Sequence, residues 1–432
     1  MNQLRRILFR VLKAYRDNSW LKLLISLGFA ILISFLWIIA LPRSSSYLSD
    51  ISINIIASVL YAALLLRFLE AILSAALHWL EDPLKLTTNY NWLCKYYAKL
   101  NNSFVKWTNS APSALLAFGE KRTNCEKQSD GSYLFPVQLL YLNDKQHIFQ
   151  LTDCQDVYHL PSLVEHNYPA LFRAHQFSSV YDNTMIRLRD CHVENGKVVL
   201  ETERTTYFRS LVTNRSMDFE FAEGLSLRRI HDFGVGSAIL SASQLSNHLG
   251  FHCIIETTDG MIAFVKRSRF VSIGKWMLGI GVEASLKTKY ALNQDGSLEI
   301  HGIVRAVEGE VKDELGLSTS DFVAPTLEQN LIAIYREFVE GGKPQLLWYI
   351  PLTISSEDLR EKFNVQRKSG VKNLQDGPEI VFLSKADLHR SYISPDGICV
   401  SSGTGNKRYQ MVPSSSASIV MYLQWANSLP TP

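Results

Sequence analysis

Glu310, Asp313 and Glu314 stand at positions i, i+3 and i+4 of a stretch whose apolar residues Ile300, Ile303, Val304, Val307, Val311 and Leu315 recur at helical spacing. Residues three and four apart share one face of a helix, so the three carboxylates project from nearly the same side. Such a set suits a hard divalent cation such as Mg²⁺, held against a substrate's phosphates to neutralise charge as a phosphate bond breaks. Gly316 supplies the helix stop. The same pattern also serves as a plain solvated acidic face, and spacing alone leaves both readings open.

The elements that must position this helix lie on either side of it. Phe251 to Thr257 reads as a strand rich in β-branched residues, Asp259-Gly260 as a two-residue turn, and Met261 to Lys266 as the returning strand. Arg267, Ser268 and Arg269 leave that strand, and Gly274-Lys275-Trp276 follows. Ala333 to Val339 and Gln345 to Ile350 read as a later strand pair. Upstream, Tyr133 to Leu142 and Gln146 to Leu151 form a predicted hairpin across Asn143-Asp144. Ile186 to Val193 and Lys197 to Thr206 form another across Asn195-Gly196. Residues 81 to about 125 read as mainly helical.

The run Ala306-Val-Glu-Gly-Glu-Val-Lys-Asp-Glu-Leu-Gly-Leu317 resembles the core of a Nudix box, Ala-x-x-Arg-Glu-hydrophobic-x-Glu-Glu-x-Gly-hydrophobic. Glu310, Asp313, Glu314, Gly316 and Leu317 match it, with Asp313 standing for a glutamate. The Asp-Gly hairpin, Gly279, Gly281 and Glu283 sit where Nudix domains have comparable elements, so the resemblance spans roughly 180 to 430. It implies a Mg²⁺-dependent pyrophosphohydrolase using Glu310, Asp313 and Glu314. It also implies a ligand pocket near Arg267, Arg269, Lys275 and Trp276, with Tyr335, Arg336 and Trp348 from the later strands. The chain departs from the pattern in three ways. Gly309 replaces the arginine that braces the carboxylates, the upstream glutamate position falls at His301, and the segment between Gly281 and the helix is longer than usual. Arg305 is the nearest substitute for that arginine. A domain that has lost the metal cluster becomes a receptor needing no cofactor.

Residues 23–41 form an uncharged apolar run long enough to cross a ~30 Å hydrocarbon core, and a second runs from Ile51 to about Leu66. Arg5, Arg6, Arg10, Lys13, Arg16 and Lys22 precede the first run, which by the positive-inside rule places both termini in the cytoplasm of a bacterial inner-membrane protein. Arg67 and Glu70 share a helical face at the end of the second run and are candidate membrane-region residues. The expected fold is therefore α+β: a two-helix transmembrane hairpin over 1–80, a helical connector and β-rich region over 81–180, and a Nudix-like α/β/α sandwich over 181–432. That combination resembles the transmembrane Nudix-like effectors of bacterial cyclic-oligonucleotide anti-phage (CBASS) systems. The resemblance implies a cyclic oligonucleotide made by a partner nucleotidyltransferase, contact with membrane lipid, homo-oligomerisation and disruption of the inner membrane. The other expectations are a membrane-tethered hydrolase and a non-catalytic anchor.

A net charge of +3 gives no electrostatic case for a nucleic-acid polymer as partner. The six cysteines include no CxxC pair, which excludes a zinc framework or a disulfide scaffold. Gly234-Val-Gly236 and Gly403 to Lys407 lack the spacing of dinucleotide and phosphate loops. His248 and His252 are four apart, but Gly250 lies between them, so they do not read as a zinc pair.

Overall fold

The computed structural model describes residues 85–143, 148–175, 181–222, 224–231, 240–368, 377–403 and 405–428, with a few isolated helical positions before 85. The chain divides into two units, Met1–Leu84 and Lys85–Pro432. The second carries a mixed α+β fold with several sheets.

The expected transmembrane hairpin over 1–80 needs correction. Among the described residues no helix is long and apolar enough to cross a membrane, so neither the hairpin nor the inner-membrane localisation with cytoplasmic termini is supported. The two longest described helices, Ile300–Leu315 and Pro413–Ser428, have 16 residues each. At 1.5 Å per residue they reach about 24 Å, short of a ~30 Å core. The second of them is apolar because it is buried within the folded unit. Apart from the single position Gly28, the runs at 23–41 and 51–66, with Arg67 and Glu70, lie outside the described residues.

The strands in chain order are β1 (Phe104–Trp107), β2 (Tyr133–Leu142), β3 (Ile148–Val157), β4 (Thr184–Glu194), β5 (Lys197–Thr206), β6 (Gly250–Glu256), β7 (Met261–Lys266), β8 (Leu278–Ile280), β9 (Val282–Ser285), β10 (Leu331–Glu337), β11 (Lys343–Pro351), β12 (Glu379–Ser384), β13 (Tyr392–Ser394), β14 (Gly397–Ser402) and β15 (Gly405–Gln410). A nine-stranded sheet runs β1-β2-β10-β11-β6-β7-β12, with β8 pairing β7 and β9 pairing β6. β13-β14-β15 and β3-β5-β4 form two smaller sheets. At the centre β11 and β6 are parallel, with Trp348 opposite Cys253. Both strands are buried almost throughout and mainly apolar, as strands covered on both faces tend to be.

The helices that matter for the site are α1 (Ser113–Arg122), α2 (Thr288–Ala291), α3 (Ile300–Leu315), α4 (Ser356–Lys368) and α5 (Pro413–Ser428). Successive strand residues point to opposite faces. Phe251, Cys253, Ile255, Leu346 and Trp348 pack with Ile303, Val307, Val311 and Leu315 of α3 and with Leu359 and Phe363 of α4. Ile254, Ile262, Phe264, Tyr335 and Leu347 pack with Ile419, Val420 and Leu423 of α5. α3 ends at Gly316, whose φ of 72° is left-handed, as the sequence predicts.

The Asn195-Gly196 turn joins β4 to β5 as predicted. β6 and β7 form the predicted hairpin, but its loop takes in Thr258 as well as Asp259-Gly260, because the Thr257 amide donates to the Met261 carbonyl at 2.9 Å. The hairpin expected across Asn143-Asp144 does not form. β2 is nearly buried throughout and pairs with β1 and β10, whereas β3 is largely exposed or half-exposed and runs parallel to β5 in a separate sheet. A strand needing cover on both faces enters the main sheet, and its half-solvated neighbour cannot follow. All six cysteines are free.

Candidate functional site

The three carboxylates of α3 share a helix face but not a site. Glu310 is buried, 1% exposed, and accepts from Lys287 Nζ at 2.6 Å. Its other oxygen, Oε1, is buried without a hydrogen-bond partner. Burial pushes this carboxyl above its ordinary range while Lys287 pulls it back down. Asp313, on the exposed side, accepts from the Tyr290 hydroxyl. Glu314 instead borders a small cavity of about 90 Å³ with Arg267, Gly279, Gly281, Glu283 and Arg367.

Lys287 and Tyr290 both come from the long segment between Gly281 and α3, and that segment accounts for the departures from the Nudix pattern. The ring of Tyr290 lies 3.1 Å from where a Cβ on residue 309 would stand, so glycine at 309 makes room for it. Arg305 braces no carboxylate. It donates to the Ala291 carbonyl at 3.0 Å and to Asn293 Oδ1 at 2.8 Å, fastening the same segment. Gly302 lets α2 approach closely, since a Cβ there would meet the Ala291 carbonyl oxygen at 2.1 Å. His301 is exposed. The residues present do not fit Mg²⁺: one carboxylate is neutralised by an ammonium, one is engaged by a phenol, and one faces elsewhere. Among the described residues no group of three or more His, Cys, Asp or Glu is arranged to hold a metal ion.

Behind the helix, Arg267 donates to Glu283 across the 90 Å³ cavity and a second one of about 50 Å³. Glu283 also accepts from Ser415 Oγ and from the Ile280 amide at 3.2 Å. Burial would raise its carboxyl, but Arg267, His252 and these donors hold it below its ordinary value. Gly279 is required here, because a Cβ would lie 2.9 Å from the Glu283 carboxylate. The smaller cavity is ringed by charges that pair off. Lys343 lies 3.7 Å from Glu337 and 3.6 Å from Glu340, and Arg215 lies 3.3 Å from Glu340. Burial and Glu340 push the Glu337 carboxyl upward, whereas Lys343 and Arg215 hold Glu340 down against the effect of burial. Both cavities fall well short of the ~300 Å³ at which ligand pockets begin.

The other residues singled out in the sequence divide between core and surface. Tyr335 is fully buried, its hydroxyl 2.8 Å from His252 Nδ1 and 3.2 Å from Ser418 Oγ. Arg336 is fully buried, donates to the Gly342 carbonyl at 3.1 Å and lies over the Phe338 ring at 5.3 Å. Trp348 is fully buried between β-strands and α3. These three sit in the core, and none of them lines either of the cavities beside Glu283. Arg269 is exposed over Phe270, 4.7 Å from the ring centroid, and Lys275 is half-buried. Trp276 is 61% exposed. Lys287 and Tyr290 carry no motif; the long spacing before α3 was the one signal that something extra had to be accommodated. No family model matches the chain, and no curated protein does.

Proposed function

We propose that this chain is a receptor that binds a phosphorylated, base-bearing ligand of the cyclic-oligonucleotide class and leaves it uncut. The observation that carries the reading is the 2.6 Å contact between Lys287 Nζ and the buried Glu310 carboxylate. An internal ammonium stands where hydrolysis would need a divalent cation, and a cation entering there must displace a lysine already neutralising a desolvated charge. No cofactor is required. In this reading a partner nucleotidyltransferase supplies the ligand, and self-association of the chain follows binding.

The test is calorimetric titration of the full chain with cyclic di- and trinucleotides in Mg²⁺, with the ligand recovered and checked by chromatography. Tight binding with intact ligand supports the receptor. Cleavage of the ligand, or of linear nucleoside diphosphate compounds, that disappears in Glu310→Gln overturns it in favour of the hydrolase.

A further inference from the structure

On the sheet face away from α3, the end of β7, the strand β15 and the last turn of α1 enclose an open cleft of about 610 Å³. Its walls include Trp276, Tyr409 and Phe118, with Arg122, Lys266 and Lys407. We infer that this cleft is where the ligand docks, its base stacked on Trp276 and its phosphates held by Arg122, Lys266 and Lys407. The inference rests on the receptor reading and gives it a place.

Size is the first argument. The cleft lies within the ~300–1,000 Å³ range of small-molecule sites, and the two cavities beside Glu283 do not. Trp276 is the second. A tryptophan left 61% exposed forgoes much of its burial energy, and its φ of 64° is a left-handed conformation that bulky residues rarely adopt. The turn around it fixes this display: the Arg267 amide donates to the Met277 carbonyl at 2.9 Å and the Met277 amide to the Gly274 carbonyl at 3.1 Å. Backbone strain of this kind persists where surrounding structure enforces it, and it concentrates at ligand sites.

Charge is the third argument. The Arg122 guanidinium lies 5.5 Å from the Phe118 ring centroid, and Lys407 Nζ lies 4.7 Å from that of Tyr409. Among the described residues neither has a carboxylate within ion-pair distance. Lys266 pairs with Glu379 at 3.4 Å, but both side chains are about half exposed, and such a pair yields readily to a phosphate. Arg408 is tied to Asp396 at 2.8 Å and stays out of the count. Cations from three separate elements around aromatic faces suit a ligand with more than one phosphate and at least one base.

The experiment titrates the full chain with cyclic dinucleotides, linear dinucleotides and short single-stranded RNA. Calorimetry reads binding, and tryptophan emission is compared with that of Trp276→Phe. The expected result is quenching of the Trp276 component by cyclic ligands, with affinity lowered about ten- to a hundredfold by Trp276→Ala and by Arg122→Glu with Lys407→Glu. These positions are on the surface, so the variants are expected to keep the wild-type melting temperature. Binding unchanged in these variants, with Trp276 emission constant, overturns the cleft and leaves the receptor reading standing. Preference for linear or single-stranded ligands, with the same losses in the variants, keeps the cleft and overturns the cyclic-ligand reading. No binding across the panel overturns both.

Discussion

Among the described residues Lys287 is the one cation paired with Glu310, and Lys287→Met removes it, leaving a carboxylate that is 1% exposed with one oxygen already lacking a partner. A buried carboxylate can escape an uncompensated charge by taking up a proton. That escape costs about 1.4 kcal/mol for each pH unit above the ordinary glutamate value of 4.5. At pH 7 the ceiling is therefore about 3.4 kcal/mol. The native carboxyl is already raised by burial, so part of that cost exists before the mutation, and the expected loss lies below that ceiling. The sign follows from proton binding. In the variant the folded state holds a proton that both the unfolded state and, at higher pH, the native carboxyl have lost, so the deficit grows as pH rises above the raised native value and fades towards pH 4.5. Urea unfolding of wild type and Lys287→Met at pH 4.5, 6 and 7 reads this directly. Glu310→Gln in the Lys287→Met background should flatten the pH dependence. A deficit under about 0.5 kcal/mol at pH 7, or one that does not vary with pH, would refute the claim that Lys287 neutralises a buried charge.

Three further outcomes follow from other parts of the same unit. Burial, together with Lys343 and Arg267, pushes His252 down to about 4 from an ordinary 6.5, so the unfolded chain binds its proton first and stability falls as pH drops through that window. Between pH 7 and pH 5 the stability difference between wild type and His252→Gln should shrink by about 2 kcal/mol; parallel pH curves would show that His252 titrates normally. Gly302→Ala places a methyl 2.1 Å from the Ala291 carbonyl, a backbone atom that cannot swing aside, and should cost about 2–3 kcal/mol in denaturant unfolding. Because the same shift moves α2 away from α3, its effect should be non-additive with Lys287→Met. Gly309→Arg supplies the arginine of the Nudix pattern but crowds the Tyr290 ring at 3.1 Å. The helix-propensity gain of about 1 kcal/mol offsets that crowding, so stability should change by less than about 1 kcal/mol. Hydrolysis of nucleoside diphosphate compounds in Mg²⁺ is expected to be undetectable, since Lys287 still engages Glu310; its appearance would refute this reading.

What the sequence revealed was what local chemistry decides. The 300–315 helix carries its own period and its own stop, and Asn195, Gly196 and Gly260 carry the left-handed conformations their turns need, so these local features were legible. Sheet order was not. β2 finds β10, about two hundred residues later in the chain, and no periodicity records a partner at that range. Tyr335, Arg336 and Trp348 were misplaced for a related reason: an apolar strand covered on both faces has the same composition as one lining a pocket. The apolar runs before residue 70 satisfy a length rule, but length and hydropathy do not say what covers a helix.

The departures from the Nudix pattern are better understood together than singly. Glycine at 309 alone would remove a bracing cation and leave repelling carboxylates. In the fold that glycine admits Tyr290, which engages Asp313, and the segment bearing Tyr290 also carries Lys287 to Glu310. Arg305, the apparent substitute for the missing arginine, fastens that segment through Ala291 and Asn293, and Gly302 gives it room to lie close. Five positions thus serve one arrangement, in which the charge of the carboxylate helix is balanced from within the chain. Reversing any one of them does not recreate a metal site, because the others still occupy it. This is why Gly309→Arg is expected to leave the chain without hydrolysis, and why the loss of Lys287 should be felt first as a pH-dependent loss of stability.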